Sequence, residues 1–110
     1  MAVTVKALIP AKDAEATQTT QYTATNCRAI IDKFTATNTT SGALTLSINL
    51  VTAAGTAGAT NLIVKLKSIA AGETYSFPEI VGHALEASEF ISTIASAAGM
   101  TIRAAGREVT

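Results

Sequence analysis

The sequence has little material for a covalent or aromatic core: one cysteine, no tryptophan, two tyrosines and three phenylalanines in 110 residues. A single cysteine cannot form an intrachain disulfide, which fits assembly in a reducing cytosol. Because Cys27 lies far in sequence from the only histidine, His83, we interpret it as a small, half-buried residue at a strand edge and not as a nucleophile. So few aromatic side chains predict a thin core that depends on many small contacts or on neighbouring subunits.

An excess of charge of either sign is also absent, since eight lysines and arginines balance eight aspartates and glutamates. Nucleic-acid-binding proteins carry a basic excess that neutralises phosphates, so no nucleic-acid partner is expected. Charged residues make up only 15% of the chain, which leaves a surface of Thr, Ser, Asn and Ala suited to close contact with protein. Lys65 and Lys67 are the one basic cluster, and we predict that both point to the same solvated face of a strand, with Leu62, Val64 and Leu66 on the opposite face.

Targeting segments and catalytic motifs are missing as well. No apolar run approaches a membrane span, and residues 1–9 lack the features of a signal peptide, so we expect no membrane partner and a protein that begins at or near Met1. Phosphate-binding glycine loops and the GxSxG motif do not occur. Glu79, His83 and Glu86 would share one face of a helix, but we interpret them as exposed polar residues. The chain is therefore expected to be no enzyme and to hold no metal or other cofactor.

What is present is alternation of apolar and small polar residues, clearest in LTLSINL at 44–50. An alternation with a period of two residues predicts strands with one buried and one solvent-exposed face. Turn signals separate about eight such segments, at 4–9, 22–25, 29–37, 44–51, 62–69, 74–77, 90–96 and 100–105. We predict an all-β fold, a two-sheet antiparallel sandwich of jelly-roll type. An immunoglobulin-like strand order has the same local alternation and stays open.

Proline and glycine mark the exceptions to this pattern. Pro10 is expected to end the first strand, so that 1–20 forms an N-terminal strand and arm beside a sandwich domain at 21–110. Residues 79–85, after Pro78, have helical spacing and predict one short helical cap. The segment 53–60 is expected to make few side-chain contacts and to form a flexible loop.

Four segments resemble small virion proteins of tailed phages: AIIDKFTATNTT at 29–40, IAAGETY at 69–75, VGHALEA at 81–87 and IRAAGREV at 102–109. In that group an NTS turn, a block of the form LxAGETYxxPExVGxxLxAGDxI and an xxxGxE ending recur. Ser88-Glu89 stands here where the group has Gly-Asp, which changes a turn.

The resemblance implies a non-enzymatic virion protein, similar to the cement or decoration proteins that clamp capsid subunits together. The implied partner is the phage major capsid protein, and the implied location is the virion after assembly in the bacterial host cytoplasm. We also expect self-association as a dimer or trimer, because so small a core gains from shared burial. A neck, tail or fibre component, a carbohydrate-binding sandwich and a small hydrolase remain alternatives. The predicted partner contacts lie in the N-terminal segment: Val3, Val5, Ala7, Ile9, Lys12 and Thr20.

Overall fold

The computed structural model describes residues 2–110, and Met1, where the predicted N-terminal segment begins, lies outside them. The described range forms β1 (Val3–Asp13), β2 (Thr19–Thr23), β3 (Arg28–Asn38), β4 (Leu44–Val51), a 3-10 turn (Ala59–Asn61), β5 (Leu62–Ile69), β6 (Thr74–Ser76), β7 (Ala84–Leu85), β8 (Phe90–Ala95) and β9 (Met100–Val109). None of its helical turns is long and apolar enough to cross a membrane.

The strands form two antiparallel sheets. One has the order β1-β9-β3-β6, with β7 also on β3, and the other has the order β2-β8-β4-β5. The pairs are nested along the chain, β4 with β5, β3 with β6, β2 with β8 and β1 with β9, as in a ribbon folded back at the β4–β5 connection. Rolling up that ribbon adds the β9·β3 and β8·β4 pairs, which is the jelly-roll arrangement. The predicted two-sheet jelly roll is therefore confirmed over its immunoglobulin-like alternative.

The core lies between the sheets, and the apolar residues of the predicted alternation face it, but the polar residues Ser47 and Asn49 on the other face of β4 are buried too. In β4, Leu46 and Ile48 are fully buried and face the other sheet. Three aromatic rings pack near one edge, with Phe34 and Phe77 edge to face at 5.4 Å and Tyr75 against Phe77 at 4.8 Å. Edge-to-face pairs contribute about 0.5–1.5 kcal/mol beyond the area that they bury. This cluster anchors short β6 to the long central strand β3.

The predicted helical cap at 79–85 is wrong. The chain makes turns there and then forms the short strand β7. The backbone N–H of Gly82 donates to the carbonyl of Ile31 at 2.7 Å, and the N–H of Ile31 donates to the carbonyl of His83 at 3.0 Å. Gly82 has a φ of +90°, outside the helical region. Hydrogen bonds to β3 therefore replace those that a helix would have made.

The predicted end of the first strand at Pro10 is also wrong, because β1 continues through Pro10 to Asp13. β1 is an edge strand, and Pro10 lies within a register irregularity between the pairs Ile9–Ala104 and Lys12–Ile102. Edge strands and bulges are the places where a strand tolerates a residue without an N–H. Residues 3–13 therefore lie within the first sheet of the sandwich.

Candidate interaction surfaces

The outer side of β1 is the first candidate surface. β9 lies on one side of β1, and no further strand of the described chain lies on the other. Residues 3–7 pair with β9 without a register break, whereas the rest of β1 has two irregularities and Pro10. We call the outer side of residues 3–7 the free edge. Its two valines are exposed, Val3 at 55% and Val5 at 78%.

The hydrogen-bonding groups at the free edge follow from the register. Ala2 and Thr110 exchange both backbone hydrogen bonds, at 3.1 and 2.9 Å. In an antiparallel pair such residues alternate with residues whose N–H and C=O point away from the partner strand. Val3, Val5 and Ala7, paired with alternate residues of β9, therefore point their N–H and C=O groups to the free edge. The edge offers an unpaired ladder, with small apolar side chains on one face and Thr4 and Lys6 on the other.

The structure separates the predicted contact residues of β1. Val3, Val5 and Ala7 meet at the free edge, with Ala7 half-buried. Ile9 is fully buried and belongs to the core between the sheets. The register irregularity after Ala7 turns both Leu8 and Ile9 inward, so period two does not run through the strand.

The remaining predicted residues, Lys12 and Thr20, are placed elsewhere. Thr20 is exposed in β2, a strand of the second sheet. The ammonium of Lys12 lies 3.0 Å from the carboxylate of Glu15, which also accepts a hydrogen bond from the Gln21 amide at 2.9 Å. The hydrogen bonds from Gln21 and from Lys12 lower the pKa of Glu15 from 4.5 to about 2. Lys12 of β1 and Gln21 of β2 therefore both hold Glu15, and this contact links the two sheets.

A second candidate surface begins at a bulge in β5. Ile48 pairs with Val64, but Leu46 pairs with Lys67, so one extra residue of β5 stands opposite Ser47. The N–H of Leu66 donates to the Ser47 hydroxyl at 2.8 Å, and Leu66 has a φ of +50° and is 59% exposed. The extra residue inverts the alternation that follows.

This bulge corrects the sequence-based assignment of faces in β5. Lys67 pairs with the buried Leu46, and its ammonium lies 4.4 Å from the centre of the Tyr75 ring. Lys65 instead lines the outer face of the sheet, so the prediction that Lys65 and Lys67 share a face is wrong. Leu66, predicted to face inward, is exposed. No local sequence signal marks the bulge, because its position is set by pairing with β4.

Beside the bulge, the segment between β4 and β5 folds over the outer face of the second sheet. The Asn49 amide donates to the carbonyl of Gly58 at 3.1 Å and to the side-chain oxygen of Asn61 at 2.7 Å. Most side chains of residues 53–60 are exposed, as predicted, and the contacts of this segment are made by backbone carbonyls at Thr56 and Gly58. Between it and β5 lies a depression of about 290 Å³, which we call the β5 groove, lined by residues that include Ser47, Ala57, Leu62, Lys65, Leu66 and Ile94.

The free cysteine lies in a partly buried cluster at one end of the sandwich. The Tyr22 hydroxyl donates to the carboxylate of Glu108, and the Cys27 sulfur lies 4.0 Å from the same hydroxyl. The Lys6 ammonium is 3.4 Å from Glu108. The Tyr22 hydrogen bond lowers the pKa of Glu108, and burial raises the pKa of Tyr22. Cys27 is buried and not half-buried as predicted, and the cluster joins β1, β2 and β9.

The residues considered for a metal site are held apart by separate partners. Glu79 accepts a hydrogen bond from the Tyr75 hydroxyl at 3.2 Å, and Glu86 lies 2.9 Å from the Arg28 guanidinium. Among residues 2–110 no three His, Cys, Asp or Glu side chains are grouped closely enough to hold a metal ion.

Comparison with known proteins adds a view of the fold. No protein-family model and no curated protein sequence matches the chain. One similar solved structure comes from a study of Bacillus endospore appendages, described as a novel family of disulfide-linked pili; it has a TM-score of 0.55 and 15% identity over 98% of this chain and 88% of that chain. Another is a chain of infectious bursal disease virus, Gx strain, with a TM-score of 0.51 and 17% identity over 97% of this chain and 32% of the viral chain. At these identities the likeness establishes a shared two-sheet fold.

Proposed function

We propose that the protein is a non-enzymatic structural component of a tailed-phage virion that binds the capsid shell and stabilises it, as cement or decoration proteins do. The sequence resemblance supports this, and the fold also occurs in a virus particle and in a pilus. The observation that carries the proposal is the outward-facing Leu66 beside the β5 groove.

The left-handed backbone and the exposed side chain of Leu66 both lower the stability of the isolated chain. A left-handed backbone is unfavourable by about 1–2 kcal/mol for a residue with a Cβ, and an exposed leucine gains nothing from burial. Covering this side chain with a partner surface would recover about 1.5–3 kcal/mol. Strained residues that persist in a fold are concentrated at binding sites. The β5 groove is therefore our proposed shell-contact surface.

Binding at this surface would stabilise a shell by linkage. A protein that binds the closed shell and not the opened one shifts the equilibrium toward the closed form. The neutral chain, with few charges, would approach other protein surfaces without strong repulsion. Many copies on one shell would act together, because opening would have to break all of their contacts.

The test is co-sedimentation with empty shells of the matching phage, followed by thermal melting of the decorated shells. Leu66→Asn is the informative variant, because asparagine tolerates the left-handed backbone and should preserve the fold. Loss of about 2 kcal/mol of apolar burial predicts roughly 30-fold weaker binding. Val81→Thr, at another exposed apolar position, is the matched control and should bind like the wild type.

Stoichiometric wild-type binding over the shell, lost in Leu66→Asn, would support the proposal. Binding confined to a vertex or to tails would assign the protein to the neck, tail or fibre instead. Equal binding by both variants would exclude the β5 groove as the contact. Carbohydrate binding has less support, since Tyr22, Phe34 and Phe77 are buried and Tyr75 and Phe90 are half-buried, which leaves no fully exposed ring for stacking on a sugar in the described chain.

A further inference from the structure

We infer that the free edge binds a second copy of this chain, pairing residues 3–7 of the two copies antiparallel about a two-fold axis, with Val5 opposite the partner's Val5. The first sheets of the two copies would then join into one continuous sheet. This inference rests on the edge of β1 and not on the proposed shell binding.

The protection of β1 is uneven, and the unprotected half is the one that can pair. Exposed strand edges are commonly blocked by proline, bulges or charges, because open edges recruit other strands. The second half of β1 has Pro10 and two register irregularities. Residues 3–7 have neither, and Val3, Val5 and Ala7 flank the open ladder on the outer face. The one charge in this stretch, Lys6, is on the other face and lies 3.4 Å from Glu108 of its own chain. The free edge is a regular strand without a partner.

The spacing of the outward groups makes this edge complementary to itself. Val3, Val5 and Ala7 present their N–H and C=O groups to the outside, as the Ala2–Thr110 bonds establish. A two-fold axis through Val5 places Val3 opposite the partner's Ala7 and Ala7 opposite the partner's Val3. Every outward group of residues 3–7 then meets a group of the opposite kind. Two-fold dimers of this kind use the same patch on both subunits.

The side chains fit the same register. On the outer face of the sheet, Val3 and Val5 of each copy would form one apolar cluster and cover surface that is exposed in the single chain. On the other face Thr4 would stand opposite the partner's Lys6. Because an uncharged threonine faces each Lys6, no like charges stand directly opposite each other. Lys6 also pairs with Glu108 at 3.4 Å in its own chain.

A dimer would extend the proposed function without depending on it. Each dimer would present two β5 grooves, so a shell could be held at two points with a gain in avidity. The two ideas fail separately: a dimer that ignores shells leaves the inference standing, and a monomer that binds shells leaves the proposed function standing.

Cross-linking in solution tests the register. Val5→Cys and Val3→Cys are made in a Cys27→Ala background and treated with a short bifunctional thiol reagent. Paired residues at a hydrogen-bonded position have Cα atoms about 5.5 Å apart, so Val5→Cys should cross-link efficiently. Two copies of position 3 would be about 14 Å apart along the strands, and Val3→Cys should not. Cross-linking at position 3 but not at position 5 would overturn the inference.

A second pair of variants tests the hydrogen bonds by sedimentation equilibrium. Val5→Pro removes an N–H that points to the free edge and none that bonds to β9, so the fold should persist while the dimer weakens at least tenfold. Val5→Thr keeps the N–H and a β-branched side chain and should dimerise like the wild type. Circular dichroism and thermal melting verify folding. A monomeric wild type, or a Val5→Pro dimer of wild-type affinity, would overturn the inference.

Discussion

Asn38→Asp is expected to destabilise the protein strongly, although the two side chains have almost the same shape. Asn38 is fully buried at the end of β3. Its amide donates to the carbonyls of Gly42 at 2.7 Å and of Ile69 at 2.9 Å. Its side-chain oxygen accepts from the N–H of Thr40 at 2.9 Å and from the Thr40 hydroxyl at 2.7 Å. One side chain therefore holds two loops at this end of the sandwich.

The magnitude follows from the bonds that a carboxylate cannot make. The Ile69 carbonyl would lose the amide hydrogen bond in a buried position, which costs about 1–3 kcal/mol. The bond to Gly42 is worth about 1 kcal/mol and would also be lost. The bonds from Thr40 survive. The expected loss in the free energy of unfolding is about 3 kcal/mol at pH 7, out of a typical 5–15 kcal/mol.

The pH dependence has a definite sign. Burial and two facing carbonyl oxygens should raise the folded-state pKa of the introduced carboxyl above its unfolded value near 3.9. Proton binding then favours the folded state, so the deficit should be largest at neutral pH and should shrink as the pH falls through the raised pKa. The protonated acid regains one donor for one carbonyl.

Urea unfolding of the wild type and the variant at several pH values provides the measurement. Asn26→Asp is the matched control, because Asn26 is exposed in a turn with a φ of +56°, where aspartate is also tolerated. A loss below about 1 kcal/mol at pH 7, or a deficit that grows on acidification, would refute this account of Asn38.

Two further predictions concern packing and acid stability. Gly106→Ala should lower the free energy of unfolding by about 1–3 kcal/mol or more, because a Cβ there would overlap the Ile30 carbonyl oxygen. Gly42→Ala is the control, because a Cβ at Gly42 meets nothing within 4 Å. Urea unfolding curves that show no difference between the two variants would contradict this reasoning. Glu15 has its pKa lowered to about 2, chiefly by Gln21, so it stabilises the fold above pH 4.5 and loses that effect as the pH falls toward 2. Glu15→Gln should flatten the stability profile in that window, and an unchanged profile would count against it.

The strands were predictable where alternation ran unbroken. The bounds predicted for 44–51 and 62–69 are those of β4 and β5. Prediction failed where a long-range contact outweighed a local signal. Residues 79–85 have helical spacing, but hydrogen bonds between β3 and the Gly82–His83 backbone hold them in turns and a short strand. Pro10 does not end β1, because β1 is an edge strand and a missing N–H is tolerated there.

The candidate surfaces were predictable only in part, for the same reason. Val3 and Val5 were identified from their place in an N-terminal strand, and both are exposed. Ile9 belongs to the same predicted strand, but a register irregularity turns it into the core. Alternation in 62–69 places Leu66 on the face opposite the lysines, and a bulge turns it outward. A bulge depends on the strand opposite, which a local pattern cannot report.

By itself the sequence determined that this chain is an all-β sandwich without an excess of charge, because alternation, turn residues and composition act locally or as sums over the chain. The tertiary structure alone decided the jelly-roll order, the bulge that exposes Leu66 and the free edge of residues 3–7. Each of these depends on which distant strand lies alongside. One extra residue in such a pairing reverses every side chain that follows, and a strand becomes an edge only when no other strand has taken that side.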